Sequence, residues 1–171
     1  LRPGMRLLDV GCGPGTITEG LARAVAPGET VGIDVVAAVL EGAHQRPAAA
    51  QGVHLRFEEA NVYALPYADA SFDVVHAHQV LQHLARPVDA LREVRRALRP
   101  GGLVGVRDAD YATMIGWPRA PELTRWLALY HAVAARNGAE ADAGRRLPGW
   151  LREAGFEKIE VSASAVHFSQ P

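Results

Sequence analysis

The residues best suited to chemistry stand early in the chain, in Asp9-Val10-Gly11-Cys12-Gly13-Pro14-Gly15. Glycines that follow a strand let the backbone come close to a ligand, and a helix opening just after them turns unpaired N–H groups toward it. The spacing is Gly-x-Gly-x-Gly, not the Gly-x-Gly-x-x-Gly of dinucleotide sites. Asp9 stands just before the turn. Asp34 follows it by about 20 residues, the place where a carboxylate at a strand end accepts both hydroxyls of a ribose. A tight strand–helix turn without a ligand uses the same glycines, so the two carboxylates carry the functional reading.

A second group of candidates is His76-Ala77-His78-Gln79-Val80-Leu81-Gln82-His83. Histidine is the side chain that exchanges a proton near neutral pH. His78, then His76, are the candidates for a general base or an acceptor-orienting group, with packing or capping as the competing role of each. His83 reads as structural. His76 and His78 share a strand face, but no acidic or cysteine partner at ligand spacing accompanies them, so no metal site is expected. Asp108-Ala109-Asp110 reads as a solvated loop, with cation binding the alternative. Trp117, Trp126, Leu127, Leu129, Tyr130 and His131, at helical spacing, read as core.

The elements that must position these residues alternate. Arg6 to Gly11 reads as a buried strand and Thr16 to about Val25 as a helix stopped by Pro27-Gly28. Thr30–Asp34 reads as a strand, Val36–Gln45 as a helix closed near Pro47, and Val53–Glu58 as a strand. Phe72–Ala77 is a fourth strand, Pro87–Leu98 an amphipathic helix, and Leu103–Arg107 a fifth strand after the Pro100-Gly101-Gly102 turn. Helices over Glu122–Ala135 and Leu147–Ala154 and a sixth strand over Ile159–Phe168 complete the pattern. Such alternation predicts an α/β domain with a mainly parallel sheet and helices on both faces. Its ligands sit beyond the carboxyl ends of the strands.

Five segments, in order, resemble the S-adenosylmethionine-dependent methyltransferases with a Rossmann-like fold, above all the ubiquinone and menaquinone biosynthesis group. They are Leu7–Gly15, Val31-Gly32-Ile33-Asp34, Asn61–Tyr67, Ser71-Phe72-Asp73-Val74-Val75 and Leu98-Arg99-Pro100-Gly101-Gly102. The resemblance implies a three-layer α/β/α sandwich that binds S-adenosylmethionine and methylates a small molecule. Gly11, Cys12, Gly13 and Gly15 would pass under the methionine part of the cofactor, and Asp9 would steady its ammonium. Asp34 would hold the ribose, Val35 would back the adenine, Val62 would offer its backbone N–H, and His78 would border the cofactor. Where the family usually has an aspartate this chain has Asn61, whose oxygen accepts a hydrogen bond without charge. The family's sheet has seven strands, the last antiparallel between the fifth and sixth, and helices upstream cover the cofactor. The chain begins at Leu1 and stops at Pro171, so it reads as a piece of a longer domain. That piece lacks those cap helices and the last strand. Residues 1–107 would be the cofactor-binding half and 108–171 the acceptor side.

Composition sets the outer bounds. The chain has 171 residues, 49% of them hydrophobic and 22% charged, which is a single domain able to bury a core. A net charge of −1 leaves no footprint for nucleic acid. No apolar run is long enough to span a membrane. Cys12 is the one cysteine, so no internal disulfide forms and a cytoplasmic location is expected. An open sheet edge favours pairing with a second copy. Two other functions compete: a cofactor-binding module without methyl transfer, and a nicotinamide-dependent oxidoreductase.

Overall fold

Leu7–Val10 forms β1, buried along its whole length. The computed structural model describes residues 1–45, 52–118 and 120–165. Parallel pairing sets β2 (Glu29–Asp34) and β4 (Phe72–His78) on either side of β1, with Leu8 opposite both Val31 and Val75. Outside these lie β3 (His54–Glu59) and β5 (Leu98–Arg107), giving the order β3-β2-β1-β4-β5. The chain winds outward from β1 to β3 and then returns to the other side of β1. The carboxyl ends of β1 and β4 are therefore the switch point where such sheets bind ligands.

Two helices, α1 (Thr16–Val25) and α2 (Ala37–His44), pack over β1, β2 and β3. On the opposite face α3 (Pro87–Ala97) and α5 (Ala143–Glu153) pack on β5 and on each other. The expected α/β/α sandwich is the observed one. Its main core joins Leu8, Val10, Val31, Ile33, Phe72 and Val75 to Ala90, Val94 and Ala97 of α3. Phe72 is fully buried, with the Tyr67 ring edge-on at 5.0 Å and the Arg6 guanidinium 4.8 Å from its centre.

Four expectations change. Strand β5 begins at Leu98 rather than Leu103, and Pro100-Gly101-Gly102 forms an irregularity within it, where the register against β4 shifts. Residues 159–165 form no strand; the rest of that predicted strand, residues 166–168, lies outside the described residues. These residues pair with none of the five strands, so their alternation has no ladder to join. The helix predicted from Leu147 begins at Ala143. A side chain at Gly144 would meet the Asp108 carbonyl at 3.0 Å, so glycine there lets the first turn seat against the end of β5. The aromatic set does not form core: α4 (Pro121–Arg136) has no buried residue, and Trp117 is 91% exposed. Tyr111, Trp126 and Tyr130 instead pack on one another, with ring centres 4.3 to 6.0 Å apart.

A carboxylate inside β1 would be costly if left unpaired. Asp9 is 3% exposed, and the equally buried Thr18 of α1 donates its hydroxyl to Asp9 Oδ2 at 2.6 Å. Replacing Thr18 by Val should therefore cost about 1.5–3 kcal/mol, the range for a hydrogen bond to a charged group, while Ser retains most of it. Urea unfolding of the two variants measures the difference.

Candidate functional site

The turn after β1 is built by backbone shape. Gly11 has φ +63°, and a Cβ on it would lie 2.5 Å from Val80 Cγ2. Gly15 has φ +81°, and a Cβ there would lie 2.5 Å from the Phe57 ring. Only glycine meets both demands at once. Asp34, ending β2, ties the turn down: its Oδ2 accepts the Gly13 N–H and its Oδ1 accepts the Val36 N–H, each at 3.0 Å. Cys12 donates its N–H to the Ile33 carbonyl at 2.9 Å. Burial, with Asp9 and Asp34 nearby, pushes the Cys12 thiol up to about 12, so it stays protonated and serves as packing.

At the β1–β4 switch point lies a cleft of about 380 Å³. Gly11, Asp34, Val35, Asn61 and Val62, all singled out from the sequence, line it together. Cys12, Gly13 and Gly15 shape the turn behind it. The Asn61 side-chain oxygen accepts the Tyr63 N–H at 3.0 Å. Asp9 sits behind the cleft with both oxygens engaged, Oδ2 by Thr18 and Oδ1 by His76 Nδ1 at 2.7 Å. His76 and His78 do not line the cleft. They stand side by side on the α1 face of β4, rings parallel within 4° and centres 6.4 Å apart. Desolvation lowers the His78 pKa, helped by Arg107 and His76 and opposed by Asp9.

Val10, Ile33, Ala60, Tyr63, Gln79, Val80, His83 and Leu84 complete the lining; His83, read from the sequence as structural, is on the cleft wall, and the other seven carried no assigned site role. The signal for the last four was available: they follow β4, and β4 borders the switch point. Gln79 sits at φ +58°, an uncommon left-handed conformation for a residue with a side chain. Its side-chain oxygen accepts from Gln82 Nε2 at 2.7 Å. Asp108 is no solvated loop residue. Its carboxylate accepts the Gln82 N–H at 3.2 Å and faces the N–H groups of Leu81 and Val80, so it caps the short turn Leu81–His83. Asp110 is likewise engaged, in a two-pronged ion pair with Arg145 at 2.6 and 2.7 Å.

The cleft fits a nucleoside. Ile33, Val35, Val62, Val80 and Leu84 give it apolar walls, Asp34 places a carboxylate on its rim, and Gly11 removes a side chain from its floor. Residues 1–155 match the methyltransferase domain family. The chain belongs to that family. The cofactor of its class is S-adenosylmethionine. An uncharacterised methyltransferase of Schizosaccharomyces pombe is 36% identical over 172 residues, covering 96% of this chain and 62% of that protein. The ubiquinone/menaquinone biosynthesis C-methyltransferase of Hahella chejuensis is 38% identical over 104 residues, 60% of this chain and 42% of its own length. The [4+2]-cyclase SpnF superposes with a TM-score of 0.66 at 30% identity, over 94% of this chain and 54% of its own. The chain thus spans less than two thirds of the length of the curated relatives named here.

Burial pushes the Asp108 carboxyl from its ordinary 3.8 up to about 6, against the pull of the three N–H groups. Between those pH values the folded protein keeps a proton that the unfolded chain has released. The stability this group contributes is therefore full below about pH 4 and lost as pH rises through about 6. Asp108→Asn keeps an acceptor for the turn and removes the titration. Relative to wild type it should gain about 1–2 kcal/mol on going from pH 4 to pH 7, a value reduced for partial solvent access. Urea unfolding at the two pH values checks this.

Proposed function

We propose that this domain transfers the methyl group of S-adenosylmethionine to a small-molecule acceptor. The observation that carries the reading is the cleft at the switch point. There the glycine turn, the Asp34 carboxylate and the Asn61–Tyr63 loop meet around an apolar slot. Asp34 would accept the ribose hydroxyls, exchanging the Gly13 and Val36 N–H groups for stronger ligand donors. Val35 and Val62 would sandwich the adenine. The Asn61 oxygen holds the Tyr63 N–H and keeps a second lone pair that would accept from the adenine amino group, without the charge of an aspartate. The turn Gly11–Gly15 would follow the methionine part. When bound, the cofactor would supply an electrophilic methyl carbon to a lone pair of the acceptor. The protein's part is alignment and exclusion of water.

A small acceptor is favoured because the net charge is −1 and no basic stripe tracks a nucleic-acid backbone. Among the described residues no helix is long and apolar enough to cross a membrane. A cytoplasmic site of action accords with the single reduced cysteine. A second reading is cofactor binding without methyl transfer. The likeness to SpnF, a protein named for cyclisation, supports it.

Calorimetric titration tests the reading. S-adenosylhomocysteine should bind the wild-type chain and NAD should not. Asp34→Ala should weaken binding about 10- to 100-fold, the loss of one or two hydrogen bonds to a charged group. Binding of NAD, or of neither ligand, would overturn the proposal.

A further inference from the structure

Helix α4 offers an apolar stripe to solvent. Its side toward the domain is half-buried, through Leu123, Leu127, Tyr130 and His131. Trp126, Leu129 and Val133 lie off that side and are 44%, 64% and 49% exposed. Their spacing of three and four residues sets them in one line along the helix. The loop before α4 continues the surface: Ile115 and Trp117 are each 91% exposed. Between them Gly116 lies close against the helix, where a Cβ would come within 2.8 Å of Leu123 Cδ2. A run of exposed large apolar side chains, rimmed by charge, marks a surface that another molecule covers.

The ends of the stripe say what that molecule is. Glu122 stands in the first turn of α4 and Arg136 in the last. Both are exposed, and among the described residues neither has an ion-pair partner. Each is seven residues from Leu129, about two turns, so Glu122, Leu129 and Arg136 stand in one row. Such a row is self-complementary. Turned end for end about a twofold axis at Leu129, it sets Leu129 on Leu129, Trp126 beside Val133, and Glu122 opposite Arg136 at both ends. Arg125 falls at the wet rim, and His131 stays turned inward on Asp142. A parallel pairing would set like charges against each other at both ends. A partner of different sequence would not require opposite charges equidistant from the middle of the stripe.

We propose that α4 is a self-association surface, on which a second copy of this chain packs its own α4 antiparallel about a twofold axis at Leu129. The contact is isologous, so every favourable pair in it occurs twice. A helix of 16 residues is about 24 Å long, and one helix pair of that length lies at the small end of interface sizes. The dimer is therefore weak, with a Kd of about 10–100 μM. It is distinct from strand pairing at an open sheet edge and leaves the outer strands β3 and β5 as they are. Association through α4 is also independent of methyl transfer.

Sedimentation equilibrium of the wild-type chain, up to about 500 μM, should show a monomer–dimer equilibrium in that range. Leu129→Glu puts two like charges on the axis and should be monomeric throughout. Glu122→Arg and Arg136→Glu alone should each weaken association about 10- to 30-fold, because symmetry places two repelling pairs in the contact. Combined, they recreate two attractive pairs and should return the Kd to within about threefold of wild type. All three positions are exposed, so the fold is undisturbed, which far-UV circular dichroism checks. A disulfide reports the geometry directly. Leu129→Cys, oxidised with diamide, should form a covalent dimer, whereas Ala24→Cys, exposed on α1, should not. Cys12 is buried and stays silent in both. A wild type monomeric at every concentration, a dimer that survives Leu129→Glu, or a double reversal that does not restore association would overturn the inference.

Discussion

The structure turns on one buried carboxylate. Asp9 lies in the middle strand of the sheet, 3% exposed, where an unpaired charge would cost several kcal/mol. It is tolerated because Thr18 and His76 meet both oxygens. Those partners come from the helix after β1 and from the strand beside it, so one ion fixes three elements at the switch point. A hydrophobic residue could fill the same volume without that cost, but it could not set the tautomer of His76. The arrangement exchanges some stability for a defined geometry at the carboxyl ends of β1 and β4.

A second carboxylate does the corresponding work on the far side of the cleft. Asp108 follows β5, yet its partners are the N–H groups of the turn after β4. That turn carries Val80 and His83 into the cleft, and Val80 is also the side chain that forbids a Cβ on Gly11. The first glycine of the motif is therefore constrained from β4, through contacts that no local rule about turns contains. The chain after α4 joins in through the Glu140 N–H, which donates to the Gln82 carbonyl at 2.9 Å. The loop after β5 and the chain after α4 thus meet at one short turn.

What the sequence revealed follows the range of the interactions involved. Strands β1 to β5 and helices α1 to α3 were legible because periodicity, glycines and prolines are local. Asp34, Val35, Asn61 and Val62 were legible because they sit at strand ends or beside them in the motif order. The pairing of Asp9 with His76 was not, since it spans 67 residues and depends on β4 lying next to β1. Asp108 was misread as solvated for the same reason: its partners lie on another loop. The sixth strand failed on a different ground. Alternation in Ile159–Phe168 reports a pattern fit for a sheet, but a strand also needs a neighbour with free donors and acceptors. The aromatic set of α4 shows the converse error, apolar residues at helical spacing that find one another rather than the core.

The way α4 is held separates it physically from the rest. The sheet and the helices on its two faces share an apolar core, whereas α4 contributes no buried residue. Among the described residues its attachments include the Tyr111–Trp126–Tyr130 stack and a polar latch at His131. Both nitrogens of that ring face acceptors, the Leu127 carbonyl at 2.7 Å and Asp142 at 3.0 Å. A neutral imidazole has one N–H, so satisfying both acceptors requires the protonated ring. The same bonds and the Asp142 charge raise its pKa. Polar contacts open at lower free energy than a packed core, and α4 is held by such a contact and by a ring stack at the surface.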